Sequence, residues 1–221
     1  GLFTPPEKPT EQRNPMTLTT WLAVVTICVL GAMSPGPSLA LVLKQTMTGG
    51  RRNGVVAALS HGLGVGIYAF LSILGLAAVI TASPTAFTIL QWAGALYLAW
   101  LGFKGLTAKA QSDQALPEAP STRSAARDGF LIAFFNPKIA VFFLALFSQV
   151  VGVDTSLMAK FGYAATALVI DTGWYLIVAW LFSNPKWLDM LKKRAVWFER
   201  VFGAILVALA GRLVAGIVAG K

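Results

Sequence analysis

Several stretches of this sequence run for about twenty residues with almost no charged side chains. Because a helix rises ~1.5 Å per residue, about twenty apolar residues cross a hydrocarbon core of ~30 Å. Only 12% of the residues are charged, which is about half the share found in soluble domains. The pattern predicts an all-α integral membrane protein and argues against a soluble enzyme or binding module.

Charged and turn-rich segments divide the apolar sequence into about six predicted transmembrane helices. Ser83 and Pro84 are typical of the N-cap and the first position of a helix, so they place the start of the third span. The predicted spans cover residues 18–43, 54–81, 84–103, 128–151, 157–182 and 197–219.

The domain organisation follows from these spans. Residues 16–221 are predicted to form a single transmembrane domain with halves of about 16–104 and 128–221. A polar segment rich in Ser, Ala and Pro, residues 105–127, is predicted to join them as a flexible linker. Residues 1–15 are polar and Pro-rich, unlike the rest, and are interpreted as an upstream extension or a cloning remnant.

Basic residues are concentrated in alternate loops. The loops after spans one, three and five carry many Lys and Arg residues, whereas the loops after spans two and four carry only Lys160. Positive loops mark the cytoplasmic side of a membrane protein, so loops 1, 3 and 5 are predicted to be cytoplasmic and both termini to lie outside. The two halves then have opposite orientations, which predicts two inverted three-helix repeats.

The net charge of +9 does not indicate nucleic-acid binding. The basic residues are scattered between apolar runs and form no basic stripe with interleaved aromatic residues. The lone cysteine, Cys28, lies inside an apolar run and is interpreted as a small buried apolar residue.

Proline breaks interrupt predicted spans one and four. Proline removes a helical hydrogen bond and frees a carbonyl group four residues earlier. Inside a membrane, such backbone is tolerated where it is buried in protein or lines a wet cavity. Because helix N-termini attract carboxylates, the breaks predict a substrate-binding site formed by Pro35, Gly36, Pro37, Ser38, Asn136, Pro137 and Lys138. The alternative is that the prolines only kink their helices.

Asp171 is the one acidic residue deep within a predicted span. A lone carboxylate there costs roughly 2.5–3.5 kcal/mol on insertion scales, so it needs a proton or a partner, and Lys138 is predicted at similar depth. Asp171 is either half of a structural ion pair or a substrate-binding and proton-coupling residue. His61, predicted near the cytoplasmic end of span two, is either a hydrogen-bonded structural residue or a second proton-coupling residue.

Two segments resemble the LysE/RhtB family of amino-acid exporters, the lysine-exporter and homoserine/threonine-resistance family. Residues 33–66, MSPGPSLALVLKQTMTGGRRNGVVAALSHGLGVG, are similar to the family's Pro-Gly-Pro span, Gly-Arg-Arg-x-Gly turn and glycine-rich second span. Residues 129–151 resemble its fourth span, which is centred on Asn-Pro-Lys. Ser38 departs from the family's usual Asn, and His61 is not a feature that the resemblance carries over.

The resemblance implies a secondary-active exporter of amino acids or related small amphipathic metabolites in the bacterial inner membrane. It implies alternating access driven by a proton or ion gradient, no enzymatic activity, no cofactor and no metal. Only Asp171 could serve a dibasic substrate, so a neutral amino acid is the expected substrate. The lipid bilayer is the second expected partner. Glycine-rich helix faces could serve either a homodimer or packing within one chain, and the sequence leaves both open.

Two alternatives remain at this stage. Cation efflux is disfavoured because one His, one Cys and one deep acid are a thin ligand set for a metal. An intramembrane enzyme is disfavoured because no His-Glu-x-x-His pair is present, and because no serine is expected at the depth of both a histidine and an acid.

Overall fold

The computed structural model describes residues 17–110 and 121–220, and all regular secondary structure in these ranges is α-helical. The all-α prediction is therefore confirmed. The predicted N-terminal extension, residues 1–15, and the middle of the predicted linker lie outside the described residues. The described helices are α1 Leu18–Met33, α2 Pro37–Ala82, α3 Pro84–Leu106, α4 Thr122–Phe135, α5 Pro137–Val150, α6 Leu157–Leu181 and α7 Pro185–Val218.

The number of spans differs from the predicted six. Within the described residues, α2, α3, α6 and α7 are long and apolar enough to cross a membrane, and α4 with α5, bent by 50°, makes a fifth candidate. The difference arises in α2, whose 46 residues would extend about 69 Å at ~1.5 Å per residue. That length exceeds two hydrocarbon thicknesses.

Gly50 divides α2 into two segments. Its φ of 79° and ψ of 177° are not helical, and a positive φ is readily adopted only by glycine. The Gly-Arg-Arg-x-Gly turn that the resemblance implies before the second span is thus reduced to this single residue. Joining α1 to the first segment of α2 and counting the second segment separately recovers six spans.

Side-chain caps determine where helices begin. The Ser83 hydroxyl accepts a hydrogen bond from the Ala86 amide at 3.2 Å, and Pro84 opens α3 as predicted. Helices α4 and α7 begin earlier than the predicted residues 128 and 197, because Ser121 and Asn184 cap them. Hydropathy located only the apolar part of each of these two helices.

The surface of the bundle is apolar, as a surface in contact with lipid requires. Large apolar side chains point outward along α2, α3 and α6, among them Leu63, Leu96 and Val169, which are 53%, 63% and 65% exposed. The second segment of α2 repeats such residues every four positions at Leu59, Leu63, Ile67 and Leu71. A multi-pass membrane protein explains this pattern.

Glycines allow helices of the two halves to approach at backbone distance. A Cβ atom at Gly203 of α7 would lie 2.6 Å from the carbonyl oxygen of Gly102 of α3. Gly62 of α2 lies directly against the Thr172 side chain of α6. Small residues at such crossings are a common basis of helix packing in membranes, and here they join the first half of the chain to the second.

The predicted loops 1, 3 and 5 gather at one end of the bundle. Two hydrogen bonds connect them: Arg51 Nε to Ser183 Oγ at 2.9 Å and Thr122 Oγ1 to Asn53 Oδ1 at 2.9 Å. A third joins Arg200, near the start of the predicted sixth span, to the Ala108 carbonyl at 3.1 Å. We call this the basic end. Which side of the membrane it faces stays a prediction.

Candidate substrate site

Both predicted helix breaks are present. Between α1 and α2 the chain is extended, with φ −62° and ψ 127° at Ser34 and φ 175° and ψ −166° at Gly36. Between α4 and α5, Asn136 alone is extended, with φ −80° and ψ 108°. A proline, Pro37 or Pro137, occupies the first position of the helix that follows each break. The prolines thus end one helix and begin the next.

The N-termini of α2 and α5 differ in how they are capped. At α5, the Asn136 side-chain oxygen accepts a hydrogen bond from the Lys138 amide at 3.0 Å. At α2, the N-cap residue is Gly36, and among the described residues no side chain caps this end. Unpaired amide groups and the helix dipole attract anions, so the N-terminus of α2 is the better of the two for a carboxylate.

A chain of hydrogen bonds joins the two breaks to α6. Asp171 Oδ2 lies 2.7 Å from His61 Nδ1, and His61 Nε2 lies 2.8 Å from Ser38 Oγ. The Asn136 amide donates to the same Ser38 oxygen at 2.8 Å. We call these four residues the buried polar chain, because none of them is more than 6% exposed.

One proton arrangement satisfies every bond in this chain. Because Asn136 Nδ2 donates to Ser38, the serine hydroxyl is free to donate to His61 Nε2. The other histidine nitrogen, Nδ1, then carries the proton and donates to the Asp171 carboxylate. In this arrangement a neutral histidine bridges an ionised aspartate and a serine.

Lys138 lies beside this chain but does not pair with Asp171 as predicted. Its ammonium group donates to the backbone carbonyl of Ser34 at the C-terminal end of α1, where the helix dipole favours a cation. It also lies against Gly36, where a Cβ atom would be 3.0 Å from Nζ. Equal depth in the membrane was the basis of the predicted pair, but depth does not specify which neighbour a side chain faces.

His61 is the residue whose position the sequence misplaced. It is fully buried in contact with Asp171, and its ring meets that of Tyr175 edge to face at a centroid distance of 5.1 Å. The prediction counted from residue 54, but the second segment of α2 begins at Arg51. Ten residues of helix, at ~1.5 Å each, then carry His61 about half-way across the membrane.

The expectation that no serine lies at the depth of both a histidine and an acid is wrong. Ser38, His61 and Asp171 form a connected series with distances of 2.8 and 2.7 Å.

Within the described residues there is no group of three or more His, Cys, Asp and Glu residues that could hold a metal ion.

Two cavities meet at Lys138. The first, which we call the central cavity, has about 490 Å³ of empty space including its mouth, and its polar lining consists of Ser38, Lys138, Asp171 and Tyr175. The second, the basic vestibule, has about 1800 Å³ of empty space including the solvent at its opening. It lies toward the basic end, where Lys104 and Lys192 contribute to its wall. Lys138 lines both cavities, so its side chain lies at the boundary between them.

An all-helical membrane bundle with two broken helices beside an internal cavity that holds a buried lysine and a buried aspartate has the architecture of a translocator. The sequence matches the LysE type translocators over residues 29–216. The chain belongs to this family.

Two relatives illustrate the similarity. The chain is 27% identical over 199 residues to the threonine efflux protein of Escherichia coli (strain K12), covering 88% of this chain and 97% of that protein. It is 30% identical over 203 residues to the homoserine/homoserine lactone efflux protein of Salmonella typhimurium (strain LT2), covering 87% of this chain and 98% of that protein. Comparison with solved structures finds no significant match.

Proposed function

We propose that this chain is a secondary-active exporter of neutral amino acids in the bacterial inner membrane. The observation that carries the proposal is the buried polar chain, which joins both helix breaks and Asp171 beside the cation of Lys138. The names of the two relatives support the substrate class, because threonine and homoserine are neutral amino acids. Loops 1, 3 and 5 are cytoplasmic in this proposal, so the basic vestibule opens to the cytoplasm.

The two charges beside the central cavity suit the two charges of an amino acid. The substrate carboxylate binds the Lys138 ammonium and the uncapped N-terminus of α2. The substrate ammonium group binds the Asp171 carboxylate, which lines the same cavity. Lys104 and Lys192 in the wall of the vestibule attract the carboxylate from the cytoplasm before it reaches Lys138.

Lys138 also connects substrate binding with access. Its bond to the Ser34 carbonyl and its contact with Gly36 hold the two helix breaks together between the cavities. When the substrate carboxylate takes Lys138 as its partner, the Ser34 carbonyl is released and the two breaks separate. This exchange of partners is the step that opens and closes the path from the vestibule to the central cavity.

The proton couples to transport through His61. Histidine is the side chain that most readily changes charge near neutral pH, and the charged or titratable groups around it are Asp171, Tyr175 and Lys138. A proton bound at Nε2 makes that nitrogen a donor to Ser38, whose oxygen then accepts from both His61 and Asn136. The serine hydroxyl hydrogen must turn away, toward the central cavity, where it can bind a substrate carboxylate.

Export is tested in inverted membrane vesicles with a panel of labelled amino acids, with and without a proton gradient. Asp171→Asn and Lys138→Ala should each lower gradient-driven transport at least about tenfold. The controls are Asp189→Asn and Lys193→Ala, because these two residues form an exposed ion pair at 2.9 Å away from the site. Undiminished gradient-dependent transport by Asp171→Asn would refute proton coupling through the His61–Asp171 pair.

A second candidate function, acyl hydrolysis, is favoured by one observation. The series Ser38–His61–Asp171 has the hydrogen-bond distances and order of a serine hydrolase triad. The test is labelling of the purified protein with a fluorophosphonate probe, with Ser148→Ala as the control for a buried serine outside the series. A Ser38 adduct found by mass spectrometry would support hydrolysis, and export without any adduct would exclude it.

A further inference from the structure

We infer that the exported amino acids carry apolar side chains, aliphatic or aromatic, rather than hydroxylated or charged ones. This inference rests on the exporter function proposed above and concerns the same central cavity. It separates this chain from relatives named for threonine and homoserine, both of which carry a hydroxyl group.

The polar groups of the central cavity are gathered in one connected cluster. Ser38 and Asp171 are joined through His61, and Asn136 bonds both Ser38 and the backbone amide of Lys138. The Lys138 ammonium group donates to the Ser34 carbonyl beside them. Tyr175 contacts the His61 ring, and its hydroxyl donates to the Ala32 carbonyl at 3.3 Å. This cluster provides one cation and one anion, which is what the α-carboxylate and α-ammonium groups of an amino acid require.

The rest of the cavity wall is apolar. It is formed by side chains from α1, α2, α5 and α6, namely Ile27, Val65, Phe142, Phe143, Leu146 and Ala167. Four of the helices therefore turn apolar groups toward the space that a substrate side chain would occupy.

This wall discriminates between side chains by their polarity. Among the described lining residues, Asp171 is the only acid and Lys138 the only base, so a charged substrate side chain would be left without a counter-ion. A hydroxyl group would find few free partners, because the Ser38 and Tyr175 hydroxyls already bond to His61, Asn136 and the Ala32 carbonyl. The remaining candidate in the lining, the Cys28 thiol, is only a weak partner. A pocket of this kind separates valine from threonine by on the order of ten- to a hundredfold.

Valine and threonine have nearly the same shape, so they isolate the effect of the hydroxyl group. Transport of labelled valine, leucine and threonine by the full chain is compared in inverted vesicles at equal concentrations. We expect valine and leucine to be transported at least about tenfold more efficiently than threonine. Equal or preferred transport of threonine would overturn the inference while leaving the exporter function intact. If no amino acid is transported, the proposed exporter function is wrong, and so is the inference that rests on it.

A variant locates the selectivity in this cavity. Ala167→Leu fills part of the apolar wall, so leucine transport should fall at least about tenfold while alanine transport falls less than about twofold. Ala165→Leu is the control, because Ala165 lies on the exposed face of the same helix. An unchanged leucine-to-alanine ratio in folded Ala167→Leu protein would overturn the placement of the substrate side chain.

Discussion

Gly36 and Lys138 belong to different helix breaks, yet the Lys138 Nζ atom would lie 3.0 Å from a Cβ atom added to Gly36. The extended φ of 175° at Gly36 is open to any residue. A side chain at this position would therefore crowd the neighbouring ammonium group, although the backbone conformation itself does not call for glycine.

Gly36→Ala should push the Lys138 ammonium away from the Ser34 carbonyl, because the new methyl group also meets Lys138 Cε at 3.2 Å. We expect transport to fall about tenfold with little loss of folded protein. Gly75→Ala is the matched control, since a Cβ at Gly75 meets nothing within 4 Å. Transport rates normalised to the amount of monodisperse protein provide the measurement. Wild-type transport by Gly36→Ala would contradict the role of this contact.

Replacing His61 with Leu should destabilise the protein, because it leaves the Asp171 carboxylate buried without its partner. A buried charge left without its partner costs about 3–5 kcal/mol, as measured when one member of a buried ion pair is removed. The double variant His61→Leu/Asp171→Asn should recover part of that free energy of unfolding, since no charge is then stranded. Denaturant unfolding in detergent of both single variants and the double variant gives the coupling energy. Additive effects would show that the two side chains do not interact as described.

Ser38→Ala removes the oxygen shared by His61 and Asn136. We expect a loss of about 1–3 kcal/mol in stability, because buried polar groups lose their partner, and transport that no longer responds to the proton gradient. Ser38→Asn should retain more transport than Ser38→Ala, because an amide both donates and accepts hydrogen bonds. Ser148→Ala serves as the control, since Ser148 bonds only within its own helix at 3.0 Å. Full gradient dependence in Ser38→Ala would contradict the proposed path of the proton.

The orientation can be tested with single cysteines introduced into a Cys28→Ala background. Lys186→Cys, at the basic end, should react with a membrane-impermeant maleimide only in inverted vesicles. Asp154→Cys, in the loop between α5 and α6, should react only in spheroplasts. Both positions are exposed, so reactivity reports on the side of the membrane. The reverse pattern would invert the proposed topology and the direction in which the vestibule opens.

The packing of α3 on α7 depends on backbone contact at Gly102 and Gly203. Gly203→Val forces these helices apart, and overpacking of this kind costs typically 1–3 kcal/mol. The Tm should fall by roughly 2–12 °C. Gly211→Val is the control, because Gly211 lies on the same helix as Gly203 and a Cβ atom there would meet nothing within 4 Å. Equal Tm values for the two variants would contradict the close packing.

The sequence predicted the helix breaks because Pro35, Pro37 and Pro137 act locally, through a missing amide and a ring clash. It also predicted the start of α3, since Ser83 and Pro84 carry the capping chemistry in adjacent positions. The sequence could not predict contacts between residues that are far apart along the chain. Whether Asp171 faces Lys138 or His61 depends on the rotation of α5 and α6 about their axes, and no local pattern specifies that rotation.

Helix boundaries limited the rest of the prediction. The second segment of α2 begins earlier than the apolar run suggests, which moved His61 away from its true depth and hid its contact with Ser38. The polar first turns of α4 and α7 were missed for a related reason, because hydropathy does not register caps such as Ser121 and Asn184.

The glycine contacts between the halves have a consequence for how such a protein can be encoded. Helix α2 packs on α4 and α6, and α3 packs on α7, so each half is held chiefly by surfaces of the other. The covalent link between α3 and α4 keeps the two halves close together, but the contacts themselves are made by the helices. Two separately translated polypeptides, one ending after α3 and the other beginning before α4, would find each other in the bilayer and rebuild the cavity. An ancestral pair of genes could therefore have produced a working assembly before any fusion joined them.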